Sequence, residues 1–307
     1  AIATGNTLVL KPADETPRTA VRIAELAEEI GLPAGVINVV PGTGVDTGSV
    51  LAASSKIDQI GFVGSAPVGK SIARSASDNL IPAVLELGGK SPHIVFPDAD
   101  LDEVVSAVVK GIIQNAGQTC SAGSRLLVHK EMYSQVIDRV ADELSKVVIG
   151  PGNEDPDLGP LISEKQLDRV EELVAGSMGK VVVGGHRVEK PDGGHYFAPT
   201  LIHDVDPDST LAREEIFGPV ITILKYESLD EAIEIANNTN FGLGGIVFGS
   251  DPDQAFSVAE RIDSGSVGIN FFASNHAAPF GGRHDSGLGV EYGPEGLSAY
   301  LTYKSIH

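Results

Sequence analysis

Apolar positions along the chain fall into short runs that alternate with stretches of helical spacing. Thr7 to Leu10 is such a run, closed by Lys11-Pro12. From Thr19 to Ile30, Ala20, Ile23, Ala24, Ala27 and Ile30 share one helical face, and Gly31 and Pro33 stop the helix. Val36 to Val40 and Ile57 to Val63 read as strands. The second runs through Gly64-Ser65-Ala66-Pro67 into a helix ending near Ala76, with Pro67 suited to a first helical position. Asp100 and Glu103 predict a capping box for a helix reaching Asn115, which Gly117 ends. Further strands are predicted at Arg125 to His129, Ile221 to Leu224, Ile246 to Phe248 and Ser266 to Ile269. Helices are predicted over 132–147, 164–176, 226–237 and 252–262. This alternation implies an α/β fold with parallel sheet and crossover helices, dividing near Gly88-Gly89. Ser298 to Ile306 is strand-like and lies outside either repeat.

At 307 residues the chain has room for about two domains. Asp plus Glu is 42 against 22 for Lys plus Arg, a net charge of −20. Such a surface repels phosphate backbones and anionic lipid, so neither nucleic acid nor membrane is an expected partner. No apolar run approaches the roughly 18 residues of a membrane span. The single cysteine excludes an internal disulfide and a multi-cysteine metal site, and it fits a reducing, cytoplasmic setting. No metal is expected. The opening Ala1-Ile2-Ala3-Thr4-Gly5-Asn6 has neither region of a signal peptide and reads as the start of a fragment whose N-terminal part is missing.

Several chemistries fail on spacing. Gly88-Gly89-Lys90-Ser91 is no phosphate loop, because position 84 is Val where that loop needs Gly. Gly42-Thr43-Gly44-Val45-Asp46-Thr47-Gly48 only approximates a dinucleotide fingerprint and reads as a loop. No Gly-x-Ser-x-Gly elbow and no paired-histidine metal motif occurs. Two segments remain conspicuous. In Leu85-Glu86-Leu87-Gly88-Gly89-Lys90 a carboxylate sits in an apolar run, as a base or as a salt-bridged strand residue. In Gly117-Gln118-Thr119-Cys120-Ser121-Ala122-Gly123-Ser124-Arg125 the sole cysteine lies among small residues, as a nucleophile or as an inert buried thiol.

These two segments lie 34 residues apart, and Glu214-Glu215-Ile216-Phe217-Gly218-Pro219 and Pro279-Phe280-Gly281-Gly282-Arg283 follow them. With Thr4-Gly5-Asn6-Thr7-Leu8-Val9-Leu10-Lys11-Pro12 and the Phe62-Val63-Gly64-Ser65 turn, the set resembles the aldehyde dehydrogenase superfamily of hydrolytic, NAD(P)-dependent type. The resemblance covers essentially the whole chain. It implies a partial Rossmann-like coenzyme-binding domain over 1–87 and an α/β catalytic domain over 88–280. A return segment with an oligomerisation strand follows over 281–307.

It also implies roles. Cys120 attacks the aldehyde carbon, and Glu86 activates the water that hydrolyses the resulting thioester. Lys11 and Asp14 meet the adenosine ribose, Gly64 and Ser65 the pyrophosphate, and Glu215 with Phe217 the nicotinamide ribose. A carboxylate at position 14 favours NAD over NADP. Phe271, Phe272 and Phe280 suggest an apolar tunnel for the aldehyde, and no Arg pair stands out for a carboxylate-bearing one, with Arg125 and Arg283 left open. A homodimer or homotetramer is expected. The family's Pro-Trp-Asn segment, whose Asn completes the oxyanion hole, does not occur here. Two other functions stay open. One is acyl transfer to coenzyme A, which Glu86 argues against. The other is a truncated, non-catalytic nucleotide-binding or structural protein.

Overall fold

The computed structural model describes residues 1–273 and 275–307. They form two compact units. The first comprises Ala1–Glu86, Asn275–Phe280 and Leu288–His307; the second begins at Leu87 and takes back Gly281–Gly287.

In the first unit, β1 (Leu8–Leu10) leads through α1 (Pro17–Glu29) to β2 (Ile37–Val39), which pairs with it in parallel. The same device repeats: β3 (Ile60–Val63) and β4 (Ala83–Glu86) pair in parallel across α2 (Ala66–Asp78). Ala52, Ile60 and Ala76 form a small core. The inward face of α1 differs from the predicted one. Ala20, Ala24 and Ala27 are half-buried with Pro17 and Val21, whereas Ile23 and Ile30 are exposed. A two-stranded ribbon is too narrow to cover a full helical face, and the smallest side chains give its closest approach.

The terminal strand expected over 298–306 does not form in the single chain. Gly293–Ser298 are helical, and residues 301–307 are exposed and without regular structure. A lone terminal strand is unstable unless it pairs, and no partner strand stands beside this segment among the described residues.

The second unit is a seven-stranded sheet built from β5 (Pro92–Val95), β6 (Arg125–His129), β7 (Lys180–Val183), β8 (Thr200–His203), β9 (Val220–Tyr226), β10 (Ile246–Phe248) and β11 (Gly268–Ile269). Its order is β11-β10-β5-β6-β9-β8-β7, parallel throughout except for the antiparallel edge strand β7. Helices cover both faces, so the strands read as continuous apolar runs. Leu126, Val128, Ile221 and Ile223 face α3 (Leu101–Ile113) and α4 (Tyr133–Ser145), packing on Val104, Val108, Val136 and Val140. Leu127, Val220 and Leu224 point to the other side, toward α5 (Glu164–Ala175), α6 (Leu229–Asn237) and α7 (Pro252–Ala259). The Asp100 half of the predicted capping box of α3 is in place, with the Asp100 carboxylate accepting from the Asp102 and Glu103 amides.

Candidate active site

Helix α3 delivers the chain to Cys120 through an unusual turn. Asn115, Ala116 and Gly117 are consecutive left-handed residues, with φ of 51°, 55° and 72°. Such backbone persists only where its surroundings impose it. Asn115 Nδ2 donates to the Gln118 carbonyl at 2.8 Å, and Gln118 Nε2 donates back to the Asn115 carbonyl at 3.0 Å. Gln118 Oε1 also accepts from the Ile162 amide at 2.9 Å. Gly117 lies so close to the next segment that a Cβ would come within 2.2 Å of the Gly218 oxygen. Cys120 follows, half-buried, in a turn closed by the Ala122 amide on the Thr119 carbonyl at 3.0 Å. Gly123 then rests on the His93 imidazole, where a Cβ would meet the ring at 1.9 Å. His93 is buried, and burial pulls it down to about 4, so the loop sits on a neutral ring.

Gly88 and Gly89 join three parts of this unit. A Cβ on Gly88 would lie 2.6 Å from Glu215 Oε2, and one on Gly89 would lie 2.2 Å from the Cys120 carbonyl oxygen. The Gly89 amide donates to Glu215 Oε1 at 3.0 Å. Burial raises the Glu215 carboxyl, while the Gly89 amide, Arg169 and Lys90 oppose that shift. The backbone around Glu215 is held from α5: Arg169 donates to its carbonyl at 2.9 Å, and Gln166 Nε2 donates to those of Ile216 and Phe217. Phe217 is left-handed, at φ 58°, which a bulky side chain rarely adopts.

Arg125 is wholly buried and spends its donors on main chain. Nε bonds the Lys90 carbonyl at 2.8 Å, and the two terminal nitrogens bond those of Ile235 and Ala236 at 2.9 and 2.6 Å. The last two are carbonyls of the final turn of α6, so the guanidinium caps that helix at the negative end of its dipole. It is therefore committed inside the fold and not offered to a substrate carboxylate. Arg283 pairs with Asp263 at 2.8 Å. Lys90, beside Arg125, is buried too, and its ammonium has no hydrogen-bond partner among the described residues. Burial and then Arg125 pull Lys90 down to about 7.

Glu86 ends β4 of the first unit with 5% of its surface exposed. Neither carboxylate oxygen has a hydrogen-bond partner among the described residues. Burial, and then the Glu291 carboxylate, push its pKa up to about 8. The salt-bridged reading thus finds no hydrogen-bonding partner for Glu86 among the described residues. Elsewhere in this unit Lys11 donates to the Pro12 carbonyl at 2.8 Å and pairs with Asp14, which it holds below the usual carboxylate range. The Gly42–Gly48 segment forms a turn of π-helix over Gly44–Gly48, with Gly48 against the Lys11 stem. Ser65 precedes α2 without capping it by its side chain, and Gly64 is pressed on the Phe62 ring.

The phenylalanines belong to different units. The tip of the Phe272 ring and the Ser121 Cβ share the space over Gly244, next to Cys120 in the second unit. Phe280 belongs to the first, bonded through its backbone to Glu291, with its ring centroid 5.9 Å from that of Tyr292 at a tilt of 42°. Phe271 is 72% exposed. Sequence reading missed Gln166, Arg169, the true place of Arg125, and Ser286. None carries a local signal, since each acts on backbone far away in the chain.

The model of the aldehyde dehydrogenase family matches residues 1–306. An aldehyde dehydrogenase of Enchytraeus buchholzi is 43% identical over 318 residues, covering 100% of this chain and 63% of that protein. The betaine aldehyde dehydrogenase of Staphylococcus aureus, solved in complex with NAD+, superposes with a TM-score of 0.95 at 39% identity, over 98% of this chain and 61% of that one. An NAD-dependent aldehyde dehydrogenase from Sinorhizobium meliloti gives 0.96 at 41% identity, over 99% and 61%. The chain spans 62% to 66% of the length of curated relatives it matches. Among the described residues no helix is long and apolar enough to cross a membrane, and no cluster suited to a metal ion occurs. Sequence, fold and site geometry agree: this chain belongs to the aldehyde dehydrogenase family.

Proposed function

We propose that the protein carrying this chain oxidises an aldehyde to a carboxylic acid with NAD+, through a covalent thioester on Cys120. The observation that carries this reading is the packing of Gly88-Gly89 against both Glu215 and the Cys120 loop, in a chain of this family. The residues present fit a dinucleotide. Lys11 and Asp14 supply a cation and an acceptor for ribose hydroxyls, α2 offers amide groups that Ser65 leaves uncapped, and Glu215 with Phe217 takes the second ribose. When bound, NAD+ accepts the hydride.

The protein's own residues do the rest. Cys120 Sγ bonds to the aldehyde carbon, and its own backbone amide is the donor this reading assigns to the oxygen that becomes charged. Loss of hydride from that carbon leaves the acyl group on sulfur. Glu86 takes a proton from water, whose oxygen bonds to the acyl carbon as the carbon–sulfur bond breaks. A carboxyl raised to about 8 suits that task. Phe272 and Phe280 supply apolar surface for the aldehyde. In this reading residues 1–87 bind coenzyme, 88–280 carry the chemistry and 281–307 return the chain to a subunit contact in a cytoplasmic homodimer or homotetramer. One relative solved in complex with NAD+ and another named as NAD-dependent support the choice of cofactor.

The test compares the full-length protein with Cys120→Ala. Formation of reduced nicotinamide should stop while NAD+ still binds. Turnover at the original rate in the variant would overturn the mechanism.

A further inference from the structure

We propose that Ser286 is a positioning residue, acting on Glu215 through the single peptide group that joins Gly88 to Gly89. The inference rests on the reading of Glu215 as a cofactor residue. Ser286 is fully buried. Its hydroxyl donates to the Gly88 carbonyl at 2.6 Å and accepts from the Gly242 amide at 2.9 Å. Its own carbonyl accepts from the Leu87 amide at 2.9 Å.

The Gly88 carbonyl and the Gly89 amide are two ends of one planar group. Ser286 holds the oxygen end, and the nitrogen end donates to Glu215 Oε1 at 3.0 Å. A donor on the carbonyl draws electron density toward oxygen and makes the N–H a stronger donor. It also fixes the plane, so the N–H can point only where the carboxylate stands. Neither glycine can carry a side chain here, so no other group from this segment shares the task. Gly282 closes in behind, where a Cβ would come within 2.4 Å of the Ser286 Cβ. The hydroxyl therefore has one place to be. A residue far along the chain thus sets the orientation of a carboxylate that it does not touch.

The experiment uses the full-length protein with Ser286→Ala, Ser286→Cys, Glu215→Gln and the Ser286→Ala/Glu215→Gln pair. Two readouts are taken: hydrogen exchange at the Gly89 amide without NAD+, and NAD+ affinity by titration. Ser286→Ala should speed Gly89 exchange and weaken NAD+ by about tenfold, the worth of one buried hydrogen bond. It should raise KM for NAD+ more than it lowers kcat. The loss should largely vanish in the Glu215→Gln background, and the weak S–H donor of Ser286→Cys should restore part of it. Unchanged Gly89 exchange, or losses that simply add in the pair, would overturn the proposal even if Tm falls. Faster exchange in Ser286→Ala combined with unaltered NAD+ affinity in Glu215→Gln would uphold the clamp and sink the cofactor role of Glu215 instead.

Discussion

The α-carbon of Gly89 stands directly against the carbonyl oxygen of Cys120, leaving no room for a methyl group between them. The backbone bearing the nucleophile is thus seated on the segment that follows Glu86. Gly89→Ala should shift the Cys120 turn and destabilise the chain by about 1–3 kcal/mol, the usual range for overpacking a tight site. Turnover should fall much further than stability. A variant with normal kcat would show that the turn tolerates displacement. Thermal unfolding and steady-state rates on one preparation measure both effects.

Glu86 should govern the pH profile. As a base it works only when deprotonated, so the rate of thioester hydrolysis should rise with pH through about 8. Glu86→Gln should give one burst of reduced nicotinamide, followed by slow turnover without that inflection. The same shift has a stability sign. Its pKa rises from 4.5 in the unfolded chain to about 8 when folded, so the folded state binds the extra proton between these values. This contribution is present below pH 4.5 and is lost as pH rises through about 8. Denaturant melts of both proteins across this window should differ in slope. Parallel curves, or loss of the burst, would remove Glu86 from deacylation.

Asp14 is held ionised by Lys11 and is partly exposed. A carboxylate beside the adenosine ribose accepts from its 2′-hydroxyl and repels a 2′-phosphate. Asp14→Ala should therefore shift the ratio of kcat/KM values toward NADP, by roughly tenfold for the loss of one such interaction. An unchanged ratio would place Asp14 away from the ribose.

Residues 301–307 leave large apolar side chains in water, with Tyr303 at 93% and Ile306 at 86% exposure. Exposed β-formers invite pairing with another chain. Deleting residues 299–307 in the full-length protein should lower the mass seen by light scattering. An intact oligomer after deletion would exclude these residues from the interface.

Local signals made much of this molecule legible. Ile246–Phe248 and Arg125–His129 were read with their observed bounds, because buried parallel strands are uninterrupted apolar runs flanked by turn residues. β5 escaped because Pro92 and His93 break its run, although a proline is harmless at a first strand position. The face of α1 was misjudged because helical spacing reports which residues align, not how wide a partner they meet. Cys120 and Glu86 stood out for their odd local setting. The bond from Gly89 to Glu215 spans 126 residues, and the bonds of Arg125 to α6 span 110 and 111. Backbone acceptors leave no trace in side-chain identity, so contacts of this kind are invisible until the chain is folded.

The guanidinium of Arg125 has a bearing on how this sequence can drift. Because its three acceptors are main-chain oxygens, the side chains of Lys90, Ile235 and Ala236 can change without removing one of them. The burden of constancy then falls on a single codon. Lysine there offers an ammonium in place of a planar fork and cannot reach three diverging carbonyls. Substitution at Arg125 should accordingly be almost nil, whereas Lys90, Ile235 and Ala236 are limited only by the packing of their own buried side chains, a contrast that deep mutational scanning for soluble expression would reveal without any assay of catalysis.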